Sequence, residues 1–335
     1  MERLIILTLV LNIPIFFFYK KLSKFINIFD YPSKRKIHSK PTPIMGGIII
    51  YINIFFFFSY IISFDSSLQS ILLIENIKGV LSFFITFSLI FFLGLYDDKF
   101  DTSPNIRLIL LSIFIFNFLY FNPVFLIDEL KFSFLSESIS LNKVSFLFTF
   151  CCILVFVISM NMFDGTNLQS VSFYLFLIIY LINKNLVFNL FLFFIFIPIL
   201  LFAIKNFQGK AFLGDGGSYL ISFIFSLIVI KNHYFQNIES DEIALVLLLP
   251  ILDTIRLYFA RILDNKNPFL PDKNHFHHII LNKFKENFSI FIITFSFVLP
   301  LILLKIFNNS FISILTFLLF YFFIILKFNK NKVVK

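Results

Sequence analysis

Nine side chains in four short stretches have types and spacings that could do chemistry: Asp97, Asp98 and Asp101 in "YDDKFD" (96–101), Asn161 and Asp164 in "NMFDGTN" (161–167), Asp215 in "FLGDGGS" (212–218), and His275, His277 and His278 in "NPFLPDKNHFHH" (267–278). Asp97 and Asp101 stand at i and i+4. They share a face if a helix continues through both, with Asp98 turned about 100° away. Like charges at that spacing repel unless a cation sits among them. A solvated helix end is the plain reading of one such pair. Three carboxylates with only Lys99 between them read instead as a divalent-metal or proton-transfer site.

Asn161 and Asp164, at i and i+3, aim two acceptors the same way, and Gly165 permits close backbone approach; alone, the stretch would serve as a helix cap. In "GDGGS" the backbone N–H groups could cradle phosphate oxygens while Asp215 holds a metal, against the plainer reading of a glycine turn at a helix start. A zinc reading of "HFHH" lacks further ligands, with no thiolate near. His275 and His277, at i and i+2, do not share a helix face. Beside Lys273 and Arg261 these histidines suit hydrogen bonding to phosphate or nucleotide, as do His38 and the basic run Lys34-Arg35-Lys36. Together the clusters describe the handling of an anionic, water-soluble substrate, with a diphosphate and Mg²⁺ the natural pair. Mg²⁺ takes a few carboxylates plus phosphate oxygens and offsets the repulsion between them.

The elements that must position these groups are membrane helices. The chain is 59% hydrophobic and 14% charged, with mean hydropathy +0.93, too apolar for a soluble chain of this length to cover its surface. Its abundance of Phe carries no functional weight. Adjacent Cys151 and Cys152 cannot form an ordinary structural disulfide and behave as small hydrophobes. Apolar runs predict an all-α polytopic protein of about eleven transmembrane helices, near 3–19, 44–64, 79–95, 106–126, 145–160, 167–183, 186–204, 211–230, 241–258, 289–307 and 309–328. The last pair is joined by a very tight turn at Asn308 and Asn309. With the N-terminus outside and the C-terminus cytoplasmic, all of the 28 Lys and Arg lie inside except Arg3, Lys78, Lys131, Lys143, Lys184, Lys231 and Lys305. The net charge of +9 is then mainly a topology signal, with attraction to anionic headgroups second. Every unusual polar cluster falls in an inside loop, near 20–43, 96–107, 160–167, 205–218 and 256–288. His233 lies outside and is incidental. Structural proteins and simple anchors have no reason to collect such groups on one face. A transporter would place its ionisable residues at mid-membrane depth.

In order along the chain, "RKIHSKPTPIMGGI", "GLYDDKFD", "NMFDGTN", "FLGDGGS" and "PILDTIRLYFARILDNKNPFLPDKNHFHH" resemble the motifs of the polyprenyl-phosphate N-acetylhexosamine-1-phosphate transferases. These are integral membrane enzymes that move a phosphosugar from a UDP-sugar to a polyprenyl phosphate. The resemblance implies a single transferase domain over 1–335, in the inner membrane with its site on the cytoplasmic face. It implies Mg²⁺, with Mn²⁺ as a substitute, on Asp215 and Asn161, and Asp97 or Asp98 as base toward the lipid phosphate. Asp164 and Asn167 would line the nucleotide pocket, Lys40 and Thr42 would lie near the nucleotide, and His275, His277 and His278 would contact diphosphate or sugar. Asp101 turns the resemblance toward the branch that uses UDP-N-acetylglucosamine and undecaprenyl phosphate, since the branch that transfers phospho-N-acetylmuramoyl-pentapeptide carries Lys there. The partners implied are the lipid phosphate, the UDP-sugar and the bilayer, with a homodimer left open and no nucleic acid. The family pattern N-x-x-N-x-x-D-G-x-D-G-L is broken here: Ile158 replaces the first Asn, and Asn167, Leu168 and Gln169 replace the last three residues. That alters the segment shaping the sugar pocket and leaves a catalytically dead scaffold to be weighed against intact Asp97, Asp98, Asn161 and Asp215.

Overall fold

The computed structural model describes residues 2–32, 40–64, 77–184, 189–268 and 274–328. Its fold is all-α and polytopic. The helices are α1 (Glu2–Ile26), α2 (Gly46–Phe64), α3 (Ile77–Phe100), α4 (Pro104–Phe121), α5 (Ser145–Phe163), α6 (Gln169–Ile182), α7 (Asn189–Phe207), α8 (Gly214–Tyr234), α9 (Ser240–Val246), α10 (Leu248–Leu263), α11 (Phe276–Leu281), α12 (Glu286–Phe307) and α13 (Ser310–Phe328). Two short antiparallel ribbons pair β1 (Phe29–Asp30) with β2 (Thr42–Pro43), and β3 (Glu129–Leu130) with β4 (Ile139–Ser140). Among the described residues, eight helices are long and apolar enough to cross a bilayer, and α9 with α10 makes a ninth span bent by 72°; α2 and α6 supply shorter apolar stretches. Each of the eleven expected spans falls on one of these segments.

Local chemistry explains the breaks. Pro250 sits in the first turn of α10, where it withholds the N–H that would carry α9 onward as one rod. Between α12 and α13 the chain turns on two asparagines. Asn308 adopts φ +47°, a conformation Asn tolerates, and Asn309 Oδ1 accepts the Ile312 N–H at 3.0 Å, so the expected tight turn is built from a left-handed cap and a side-chain cap.

The centre of the bundle is α8, buried almost throughout, against α2, α3 and α5. Its composition allows that. Ser218, Ser222 and Ser226 recur every four residues and form a narrow ridge. Each is buried, and the hydroxyls of Ser222 and Ser226 bond to carbonyls of their own helix. At its N-terminus the approach becomes backbone to backbone: a Cβ on Gly94 of α3 would come within 2.4 Å of the Gly216 nitrogen, and one on Gly47 of α2 within 2.4 Å of the Gly217 nitrogen. Two of the glycines in "GDGGS" are thus there so that three helices can meet.

Candidate active site

The ends of α3, α4, α5 and α8 converge, with the segment leading into α11 close by. Asp98, on the last turn of α3, accepts the Asp215 N–H on Oδ1 at 2.9 Å and the Gly216 N–H on Oδ2 at 3.2 Å. These are the first-turn donors of α8, which have no partner inside the helix. The carboxylate also sits where the helix dipole favours negative charge. The anion cradle expected of "GDGGS" therefore exists, and its occupant is Asp98. Gly214, at φ +78°, makes the approach possible: a Cβ there would stand 2.6 Å from Asp98 Oδ2 and 2.2 Å from the Ile44 side chain.

Asp97 faces the other way and is enclosed, with a side chain only 2% exposed. Its Oδ1 accepts from the Thr102 N–H at 2.8 Å and hydroxyl at 2.6 Å, and its Oδ2 from Arg107 Nη1 at 2.5 Å. The turn 101–104 arranges this. Asp101 leaves the helix at φ +50°, Ser103 accepts the Ile106 N–H, and Pro104 opens α4, returning Arg107 to the end of α3. The i, i+4 alignment of Asp97 with Asp101 is lost at that reversal, because the helix stops at Phe100. Asp101 stands exposed outside the carboxylate cluster. Arg107 also reaches Asp215 Oδ2 at 3.5 Å, and Asn161, on the last turn of α5, donates its amide to Asp215 Oδ1 at 2.7 Å. Asp215 is the open member of the group, its side chain 33% exposed.

The histidines join this cluster through residues 164–169. His275 is extended, and the helix begins only at Phe276. That removes the objection from their i, i+2 spacing: the two imidazoles lie face to face, centroids 5.2 Å apart and planes 18° apart, with the His278 ring 4.3 Å from that of His277. His277 is buried against Gly165, where a Cβ would fall 2.0 Å from Nε2. Its Nδ1 lies 3.2 Å from the Gln169 amide nitrogen, and Gln169 is held in turn by the Thr166 hydroxyl at 3.0 Å. Because Gln169 donates to Nδ1, the proton of the neutral ring sits on Nε2, which finds no hydrogen-bond partner among the described residues. Burial, with His275 and His278 alongside, holds His277 well below the ordinary histidine range. Burial likewise pushes the Asp164 carboxyl up to about 6.

Of the first inside loop, Thr42 is buried in β2 and bonds to the Lys40 carbonyl at 3.1 Å, while Lys40 is exposed. The segment just after them is sewn to the glycine turn: Met45 and Gly46 N–H donate to the Phe212 carbonyl, and Gly47 N–H to that of Leu213. Asn167 lies toward Gly209, and the Leu168 N–H donates to Asn206 Oδ1 at 2.6 Å. The basic run 34–36, His38 and Lys273 fall outside the described residues.

A family model, glycosyl transferase family 4, matches residues 80–233. The undecaprenyl-phosphate alpha-N-acetylglucosaminyl 1-phosphate transferase of Escherichia coli (strain K12) is 26% identical over 277 residues, 79% of this chain and 72% of that protein. The Yersinia pestis protein of the same name is 24% identical over the same shares. A Bacillus subtilis (strain 168) protein named probable undecaprenyl-phosphate N-acetylglucosaminyl 1-phosphate transferase is 27% identical over 314 residues, 90% of this chain and 83% of that one. Over residues 80–233, just under half of its length, the chain is similar to glycosyl transferase family 4.

The matched span holds every carboxylate of the cluster and stops before the histidine segment. Several residues of this site escape sequence reading. Arg107 registers only as one more inside cation, Gln169 only as a departure from the family pattern, and Thr102 not at all. Asp253 and Arg256 of α10, which bracket His275 with Tyr321 of α13, fall inside the last quoted motif but are given no role there, and Tyr321 has nothing local to mark it. For Arg107 the available signal was arithmetic: a group of clustered carboxylates needs an arginine nearby, and Arg107 is the basic residue closest in sequence after Lys99.

Proposed function

We propose that the protein transfers N-acetylhexosamine 1-phosphate, foremost N-acetylglucosamine 1-phosphate, from a UDP-sugar to a polyprenyl phosphate such as undecaprenyl phosphate, at the cytoplasmic face of the inner membrane. UMP leaves, and the polyprenyl diphosphate sugar would be the first lipid-linked intermediate of a cell-surface polysaccharide such as O-antigen. The observation that carries this reading is the meeting of Asp98, Asp97, Asn161 and Asp215 around Arg107, beside Asp164 and His277. The names of the relatives point the same way.

Four carboxylates served by one close arginine would repel two phosphate-bearing substrates, so the reading calls for a cation. Among the described residues no three His, Cys, Asp or Glu side chains form a metal group by themselves. That donor set suits Mg²⁺, which binds through one or two carboxylates and completes its shell with phosphate oxygens and water. Asp215, open and with Arg107 no nearer than 3.5 Å, would hold it, with Asn161 at its side. When bound, the ion supplies neutralisation of charge on the donor diphosphate. Asp98 is placed to take the proton of the lipid phosphate, whose oxygen then attacks the sugar-bearing phosphorus in line as the bond to UMP breaks. Asp97 acts through Arg107, fixing the guanidinium where charge accumulates. Asp164 and the His277 Nε2–H offer an acceptor and a donor to the nucleotide or sugar.

A transporter would require ionisable groups at mid-depth. Asn12 of α1 and Asn53 of α2, near the middle of their helices, are neutral and bond reciprocally at 2.8 and 2.9 Å. The test is purified protein with undecaprenyl phosphate, Mg²⁺ and a panel of UDP-N-acetylglucosamine, UDP-N-acetylgalactosamine and UDP-N-acetylmuramoyl-pentapeptide, reading UMP release and lipid-linked product. Turnover with the first donor is expected. Silence with every donor, under conditions where a relative works, overturns the reading.

A further inference from the structure

The histidine segment does not hold itself in place. Residues 274–276 carry little regular structure of their own, yet His275 and His277 are buried and their rings stacked. His277 is bonded to Gln169, and the His275 side of the segment rests on a carboxylate from a different helix. Asp253, buried in α10, accepts on Oδ1 from Arg256 Nη2 at 2.7 Å and from the Tyr321 hydroxyl at 2.6 Å. The Phe276 N–H lies 3.2 Å from both of its oxygens, and His275 Nδ1 stands 3.3 Å from Oδ2. Arg256 also donates from Nη2 to the Asn274 carbonyl at 2.6 Å and from Nε to the Tyr321 hydroxyl at 2.7 Å. Tyr321 belongs to α13 and stacks on Phe276, centroids 5.5 Å apart.

We infer that Asp253 is the positioning residue for the donor-binding histidines, with Arg256 and Tyr321 as its supports; this rests on the transferase reading above. A carboxylate taken out of water is costly unless its lone pairs are filled, and one partner would not suffice. Here donors from α10, α13 and the histidine segment all converge on it, and docking of that segment completes the set by filling Oδ2. Accepting the Nδ1–H of His275 fixes that ring's tautomer and leaves Nε2 as the nitrogen for a ligand. The effect passes onward by contact: the His275 ring lies flat on His277, and His277 lies against Gly165 beside Asp164. Asp253 itself touches none of the proposed reacting groups. Its substitution should therefore loosen donor binding and leave acceptor binding alone.

Two measurements test this on the full-length protein. In steady-state kinetics, Asp253→Asn should raise the KM for the UDP-sugar by ~10-fold or more, the usual scale for losing a side chain that orients a binding histidine, with the KM for the lipid phosphate unchanged. Tyr321→Phe keeps the ring stacked on Phe276 while removing one donor, and should shift the same constant in the same direction by less. The second measurement needs no substrate: diethylpyrocarbonate labelling read by mass spectrometry, taking the ratio of His275 to His233. His233 is at the far end of α8, bonded to Glu129 and Ile238 carbonyls, and serves as internal reference. Both variants should raise that ratio. A ratio that stays at the wild-type value in folded protein overturns the positioning role. So does a fall in melting temperature with both KM values unmoved, which would make Asp253 a structural residue only. A wild-type protein that turns over no donor defeats the transferase reading instead, and the labelling ratio still decides the role of Asp253.

Discussion

Gly94→Ala tests whether the carboxylate cluster depends on the contact between α3 and α8. The added Cβ would lie 2.4 Å from the Gly216 nitrogen, 2.5 Å from its Cα and 2.6 Å from the Asp215 carbonyl carbon. All three are backbone atoms, so no side chain can swing aside. Restoring an ordinary contact of at least 3.4 Å requires the helices to part by about 1 Å. Asp98, one turn further along α3, would be carried with it, and its 2.9 and 3.2 Å bonds to the α8 N–H groups would stretch past hydrogen-bonding range. Overpacking of this kind costs about 1–3 kcal/mol, and losing the cap adds about 1 kcal/mol. A displacement of about 1 Å at the reacting groups typically costs ~100-fold in rate. Thermal unfolding in detergent and UMP release, measured on the same preparation, should therefore show a modest fall in melting temperature beside a large fall in kcat. Leu89→Ala, on the exposed face of the same helix, should change neither. A Gly94→Ala protein with wild-type kcat would refute the claim that this close approach sets the catalytic geometry.

Asp215→Ala should abolish Mg²⁺-dependent turnover; activity that still titrates with Mg²⁺ would remove Asp215 from the metal site. Arg107→Met strands the buried Asp97 carboxylate and should destabilise the protein by about 3 kcal/mol, the bottom of the range for a broken buried pair because Arg107 is partly exposed, whereas Asp97→Asn with Arg107→Met should recover part of that loss in chemical denaturation. Asp164, with its carboxyl raised to about 6, binds a proton more readily folded than unfolded. Its stabilising contribution is present below about pH 4 and is lost as pH rises through 6. Asp164→Asn should accordingly melt higher than wild type at pH 7.5, by up to about 3 kcal/mol, with the gap closing toward pH 4; a constant gap across that range would show that the shift does not arise from ionisation. His277, held below its ordinary range, works in the opposite sense, and its contribution is lost as pH falls below about 6.5.

What the sequence revealed and what it hid divide along physical lines. Apolar runs and the asparagine turn at 308 and 309 depend on residues near one another in the chain, so the spans, the final tight turn and the list of polar clusters could all be read directly. Partnerships across the bundle could not. Asp98 caps a helix 117 positions on, and Tyr321 reaches Asp253 from 68 positions away. Neither pairing leaves a periodicity or a spacing to find. Asp101 shows the limit from the other side: the i, i+4 rule was sound, but it needed the helix to run one residue further than Phe100, and a left-handed residue at that point is invisible to spacing alone.

The same division changes what the glycine motif means. Read alone, "GDGGS" is a set of backbone donors awaiting phosphate. In the fold, the Asp215 and Gly216 N–H groups are already bonded to Asp98, and the glycine surfaces are covered by Gly94 and Gly47. An incoming diphosphate cannot take those donors without expelling a carboxylate of the protein itself, which would leave Asp98 without its two N–H partners. On the proposed reading, the substrate would instead be met by Arg107 and the exposed edge of Asp215, with the cation proposed there. On this geometry the motif's contribution to catalysis is to fix Asp98: it orients the proposed base by giving it two N–H groups to lean on, and it does so before any substrate arrives.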